Sequence, residues 1–203
     1  MRLGTAAGIL FAHIWLGISV ATAEAPAQVE LCAECHGAEA PSPYPTVPTI
    51  HGLPLAVLDN ALYDFRATIR PCRKPDCGEA DCPDLDFCTI AATLDDEDIE
   101  ALAKWYAAQP YAPVSQPWDP ALAAVGRELH EARCESCHGG GGTRPSEEAG
   151  VLRGQPRAYL RMAMEDFRQD RRVAVAEMDV LLRELSDHEL DALVEFYASP
   201  AGR

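Results

Sequence analysis

The sequence predicts an all-α chain folded as two tandem domains, and three observations carry that prediction. Two C-x-x-C-H motifs, "CAECH" at Cys32 to His36 and "CESCH" at Cys134 to His138, stand at an offset of 102 residues. The same offset superposes "IHGLPLAVL" (Ile50 to Leu58) on "LRGQPRAYL" (Leu152 to Leu160), and the "DFR" of Asp64 to Arg66 on that of Asp166 to Arg168. Farther on, "DDEDIEALAKWYA" from Asp95 matches "SDHELDALVEFYA" from Ser186, and both carry apolar residues at helical spacing.

The elements follow in order. Residues 1–23 read as a secretory signal peptide: Arg2 precedes an apolar run that ends in a small-residue A-x-A site at Ala21 to Ala23. A retained membrane anchor is the rival reading, but His13 and several small residues break the run and it is short for a span. Export to the periplasm is therefore expected, with no membrane span left after cleavage. Residues 24–112 form the first domain, 113–120 a proline-rich linker and 121–203 the second domain. Each domain reads as a short helix ending in its C-x-x-C-H motif, a Pro/Gly loop, a middle helix and a closing helix. Ser186 with Glu189 makes a capping box for the second closing helix, and Asp95 with Asp98 a weaker one for the first. Pro110, Pro113, Pro117 and Pro120 end the first closing helix and stiffen the linker.

The formal charge is −15, and −16 once Arg2 has left with the leader. Such a chain is repelled by phosphate backbones and anionic lipid, which argues against nucleic acid as a partner, and is steered toward basic protein surfaces. The same acidity also serves plain solubility.

The C-x-x-C-H spacing is that of c-type haem attachment: two thiols add to the vinyl groups of one porphyrin while the adjacent histidine coordinates iron. One such match could be a zinc site or a redox C-x-x-C. Two matches behind an export leader favour two covalently bound haems, with Cys32, Cys35, Cys134 and Cys137 as attachment points and His36 and His138 as iron ligands. A domain of about 80 residues has a small core, so the porphyrin supplies much of what it encloses. "CHGGGGT" lacks the lysine of a phosphate loop, and its glycines form the turn leaving the second haem. No catalytic residue is assigned.

The second axial ligands differ between the copies. In the second, Met178 lies beyond the middle helix, in a segment expected to be a crevice loop, and is the expected ligand; Met162 and Met164 lie within the helix and are expected to fill core space. A His/Met pair raises the potential and leaves no open position, which suits electron transfer. In the first copy the offset has fallen to 91, because eleven residues are inserted between Phe65 and Phe87, and Phe87 stands where Met178 stands in the second. Cys88 is the nearest soft donor, with Lys74 and the other inserted cysteines as further choices.

The order of C-x-x-C-H, proline loop, helix, methionine and aromatic closing helix, twice over, resembles the tandem two-haem class I cytochromes c. In that family a P-x-L-H-G-L histidine like His51 is not an iron ligand. More closely, "YAPVSQPWDPALAAVGRELHEARCESCH" and "QPRAYLRMAMEDFRQDRRVAVAEM" resemble the dihaem subunit of flavocytochrome c sulfide dehydrogenase. The resemblance covers nearly all of the mature chain. It implies two class I cytochrome c domains, each enclosing one haem c, with Cys32, Cys35, His36, Cys134, Cys137, His138 and Met178 as haem residues. It also implies an FAD-containing sulfide dehydrogenase subunit as electron donor, with FAD held only on that partner, and a soluble cytochrome or other acceptor downstream. On this reading the chain is not an enzyme by itself. A free-standing dihaem carrier is a second reading. A third is a sulfur-compound oxidoreductase whose first haem is catalytic, through a Cys88 thiolate or an open position.

The insertion "RPCRKPDCGEADCPDLDFC" lies outside that family pattern. Its cysteines, Cys72, Cys77, Cys82 and Cys88, allow three disulfide pairings that sequence does not separate. In an oxidising compartment, an even number left after haem attachment favours disulfides. Their spacing lacks the paired C-x-x-C of structural zinc sites, and Cys88 on iron would leave an orphan thiol. Two disulfides are expected to replace the missing methionine bond as the clamp of this loop, leaving the first haem weakly ligated or five-coordinate.

Overall fold

The computed structural model describes residues 25–76, 84–146 and 149–201. The leader, Cys77 and Cys82 lie outside the described residues. Within them all regular structure is helical: α1 (Val29–His36), α2 (Leu55–Arg66), α3 (Phe87–Ala91), α4 (Asp96–Ala107), α5 (Pro120–Arg133), α6 (Gly139–Gly142), α7 (Arg157–Arg168), α8 (Ala176–Glu184) and α9 (Asp187–Ala198). None of these is long and apolar enough to cross a membrane.

The repeat read from the sequence is a repeat of structure. Helices α2 and α7 have equal length and start at offset 102, and α4 and α9 have equal length and start at offset 91. Both closing helices begin with a complete capping box, Asp95 with Asp98 and Ser186 with Glu189. An equivalent ion pair ties each middle helix to its closing helix, Arg66 to Asp96 at 2.6 Å and Arg168 to Asp187 at 2.8 Å, and α7 adds pairs from Arg157 to Glu195 and from Arg161 to Asp191. Leu53, Leu58, Leu94, Ile99, Leu102 and Tyr106 form the first core, and Leu160, Met164, Leu190, Leu193, Phe196 and Tyr197 belong to the second.

Three local expectations need correcting. Pro120 does not end a linker; it is the first residue of α5, capped by the Asp119 side chain, because proline suits a first helical position whose N–H has no intrahelical partner. The helix before the second haem motif ends at Arg133, one residue short of Cys134. Met178 lies in α8 and not in a loop: Glu177 and Asp179 occupy the first turn and Arg183 pairs with Asp179 one turn on, which supports the helix.

Helices α5 and α9 cross very closely. A Cβ built at Gly126 would lie 1.9 Å from the Ala192 carbonyl oxygen, so only glycine permits this approach.

The segment between α4 and α5 is pinned to the second half. Val114 N–H donates to the Gly154 carbonyl, the Tyr111 hydroxyl to that of Arg153, and the Gln116 side chain to that of Gln155. The halves also meet directly. The buried Gln155 amide accepts from Thr49 N–H at 2.9 Å and donates to the Thr49 carbonyl at 2.8 Å, while Val151 packs into the first core. Asp166, almost fully buried, pairs with Arg73 of the inserted loop and with Arg171 of its own half.

Candidate haem sites

A cavity of about 190 Å³ opens in the first half, lined by Cys32, His36, Phe65, Phe87, Tyr106 and other largely apolar side chains. Helix α1 ends at His36, so both residues reach the cavity from its last turns, while Cys35 is buried beside them. The His36 Nδ1 lies 2.8 Å from the Pro48 carbonyl. A carbonyl only accepts, so Nδ1 carries the proton and Nε2 keeps its lone pair for a metal. Burial pushes this imidazole down to about 4, which keeps it neutral at any physiological pH.

The opposite wall comes from the second half. Tyr159, Met162 and Asp166 of α7 line the same cavity, together with Arg172 and, from the first half, Arg70. Both guanidiniums lie close enough to the Tyr159 hydroxyl to act on its charge. Burial would raise this phenol, but the two cations outweigh it and hold the group below its ordinary value. Burial, helped by Arg172, pushes Arg70 down to about 10, and its Nε is buried with no partner. Two cations beside one half-buried phenol suit an anion, and haem c brings carboxylates. The residues therefore fit haem at Cys32, Cys35 and His36.

In the second half Cys134 and Met178 pack against the same core cluster, beside Phe167. His138 is lowered by burial, and its Nδ1 is buried without a hydrogen-bond partner. A thiol and a thioether on one apolar cluster, with the half-buried His138 imidazole of the same motif, are the residue types a second haem would need. The turn that leaves the motif is held by Glu135, whose carboxylate accepts from Gly140 and Gly141 N–H and contacts His130 at 2.6 Å. Those bonds hold Glu135 down to about 2.

The structure redistributes the other candidates. Cys88 is bonded to Cys72, with Cα atoms 5.2 Å apart. A sulfur in a disulfide has no thiolate to give, which stands against Cys88 on iron and against both sulfurs as zinc ligands. Lys74, the other donor weighed for the first iron, pairs with Asp84 at the surface. His51 packs edge-on to Tyr106 at 5.0 Å and near Trp105, and does not border the cavity. Met164 is core, as its helical position predicts. Met162 is not core filler: it faces the first half's cavity, because α7 presents one face to each half. Sequence reasoning also missed Arg70, Arg172, Tyr159, Asp166 and Gln155. The two arginines were discoverable, since they stand at the same offset of 102 as the haem motifs.

No protein-family model matches the chain. In sequence it is 28% identical over 186 residues to cytochrome c4 of Stutzerimonas stutzeri, a match spanning 83% of this chain and 84% of that protein. It is also 28% identical over 190 residues to the thiosulfate dehydrogenase electron acceptor of Stutzerimonas stutzeri strain A1501, spanning 83% and 78%. In structure it resembles reduced recombinant cytochrome c4 from Pseudomonas stutzeri, with a TM-score of 0.68, 26% identity and coverage of 84% and 94% of the two chains. It further resembles thiosulfate dehydrogenase TsdBA from Marichromatium purpuratum, with a TM-score of 0.66 and 27% identity over 83% of this chain and 36% of that one. These relatives are named as cytochrome c4, as an electron acceptor of thiosulfate dehydrogenase and as thiosulfate dehydrogenase TsdBA; none of them is named as a flavocytochrome subunit. The chain has the fold of two tandem class I cytochrome c domains, and over more than four fifths of its length it is similar to cytochrome c4 and to a thiosulfate dehydrogenase electron acceptor.

Proposed function

We propose that this chain is an exported, periplasmic two-haem relay that takes single electrons from a sulfur-compound dehydrogenase and hands them to a soluble cytochrome or another acceptor. The observation that carries the reading is the shared wall between the sites. Met162, Tyr159 and Asp166 of the second half line the cavity that holds Cys32 and His36 of the first. Haem supplies one-electron exchange at iron; the protein supplies fixed positions. Gln155 with Thr49, and Asp166 with Arg73, join the two halves. Arg70, Arg172 and Tyr159 provide the cationic, hydrogen-bonding edge where the cofactor's carboxylates would be held.

Two donors fit. The likeness to a thiosulfate dehydrogenase electron acceptor supports a thiosulfate dehydrogenase. The stretches from Tyr111 to His138 and from Gln155 to Met178 support an FAD-containing sulfide dehydrogenase subunit. Rapid-mixing absorbance with the oxidised holoprotein separates them. One dehydrogenase with its substrate is expected to reduce both haems at catalytic rates, and the other is not. If neither reduces them faster than the substrate alone, the sulfur-relay reading is lost and a general carrier remains.

A further inference from the structure

We propose that the first haem has no protein ligand on its distal face, that Phe87 covers that face as an apolar gate, and that the position behind it takes a neutral diatomic molecule. This rests on haem attachment at Cys32, Cys35 and His36.

Phe87 stands at the sequence position of Met178, and its ring lies in the cavity 6.1 Å from the His36 ring and 5.5 Å from that of Phe65. A phenyl ring has no lone pair for iron. The polar side chains that border the cavity are committed elsewhere. Thr46 Oγ1 accepts from Asp76 N–H, Tyr106 donates to the Val29 carbonyl, Tyr159 stands beside the cations Arg70 and Arg172, and Asp166 pairs with Arg73 and Arg171. Cys88, next to Phe87, is bonded to Cys72. Met162 is the soft donor left on the wall, delivered from the other half.

The ring is also held. Asp86 caps α3 immediately before Phe87, and the Cys72–Cys88 bond anchors the chain immediately after it. A covalent bond between sulfurs thus keeps this loop closed, where in the second half a thioether on iron would do so. The surroundings set the ligand class. Phe65, Phe87, Leu58 and Leu62 provide no hydrogen-bond donor to an anion, and desolvating a charge there is costly. Neutral molecules of the carbon monoxide or nitric oxide type carry no such cost.

The test uses the full holoprotein, with covalent loading of both motifs checked by mass, and carbon monoxide as probe. Electron paramagnetic resonance of the ferric protein is expected to show one high-spin haem, and the ferrous protein to take up carbon monoxide at one haem per chain. Phe87→Met is expected to become fully low-spin and to lose that uptake, while Met162→Leu leaves both readouts unchanged. If Phe87→Met does not load haem, Phe87→Leu, which also lacks a donor, must retain uptake. Two low-spin haems and no uptake in the unaltered protein would overturn the proposal, as would a high-spin signal gained only in Met162→Leu, which would assign that thioether to iron. The readouts need no partner enzyme, so failure of the relay assay leaves them standing, and their failure leaves the relay standing.

Discussion

At Gly126 the absence of a side chain is a structural element. Its α-carbon faces the Ala192 backbone, and its neighbours Ala123 and His130 are buried on the same face of α5. Alanine is the better helix former by about 1 kcal/mol, but a methyl group 1.9 Å from a carbonyl oxygen cannot be accommodated without parting the helices. Overpacking of this kind costs about 1–3 kcal/mol and sometimes more. Gly126→Ala is therefore expected to destabilise the second half by about 2 kcal/mol or more, measured by denaturant unfolding of the holoprotein at the haem absorbance. An unchanged midpoint would show that α5 and α9 do not meet at Gly126.

At the scale of elements, the inserted loop and α3 replace one kind of clamp with another. Cys72 and Cys88 are 16 residues apart in sequence. Closing a loop of that size restricts the unfolded chain and contributes about 3 kcal/mol in the entropic account. The double variant Cys72→Ser/Cys88→Ser is expected to lose about that much stability, read from the same unfolding curve, and to rebind carbon monoxide faster after flash photolysis because Phe87 is no longer held. Stability within a few tenths of the parent would mean that the clamp lies elsewhere in the insertion. The glycine turn after the second motif reaches a similar end without a covalent bond, through Glu135 and its two backbone donors.

At the scale of the whole molecule, the boundary between halves is polar at its centre, and that makes it sensitive to pH. Burial alone would raise the Asp166 carboxyl, but Arg73 and Arg171 outweigh burial and hold it below the ordinary value of 3.8. A depressed carboxylate contributes stability that is fully present above about 3.8 and is lost as pH falls through the folded-state value. Asp166→Asn is thus expected to be less stable than the parent at neutral pH, by about 2–3 kcal/mol because both arginines are partly exposed. The difference should shrink as pH falls below about 3.8 and through the depressed folded-state value, as followed by thermal unfolding across pH. A difference that persists undiminished in acid would mean that packing, and not charge, holds Asp166 in place.

Much of this architecture is readable in the sequence because it is local. Capping boxes need residues three apart, haem motifs need five consecutive residues, and the repeat is visible as a constant offset that changes once, at the insertion. The contents of each site are only partly local. His36 and Phe87 were readable as two positions of one site, and the structure brings both rings to one cavity. The pairing of Cys72 with Cys88 was not, because four cysteines allow several pairings and only the path of the chain into α3 selects one. Nor was the facing of Met162. A helical period shows that α7 has an apolar stripe, but not that its other face forms the wall of a neighbouring domain's cavity. Composition, spacing and repeat by themselves determined an all-α, two-haem chain with unequal halves. The tertiary structure alone decided which sulfurs join, which arginines converge on Tyr159, and which methionine looks across the boundary. Those depend on the path of the folded chain: the Cys72–Cys88 bond spans 16 residues that sequence could pair in other ways, Met162 reaches a cavity of the other half, and no local pattern encodes either contact.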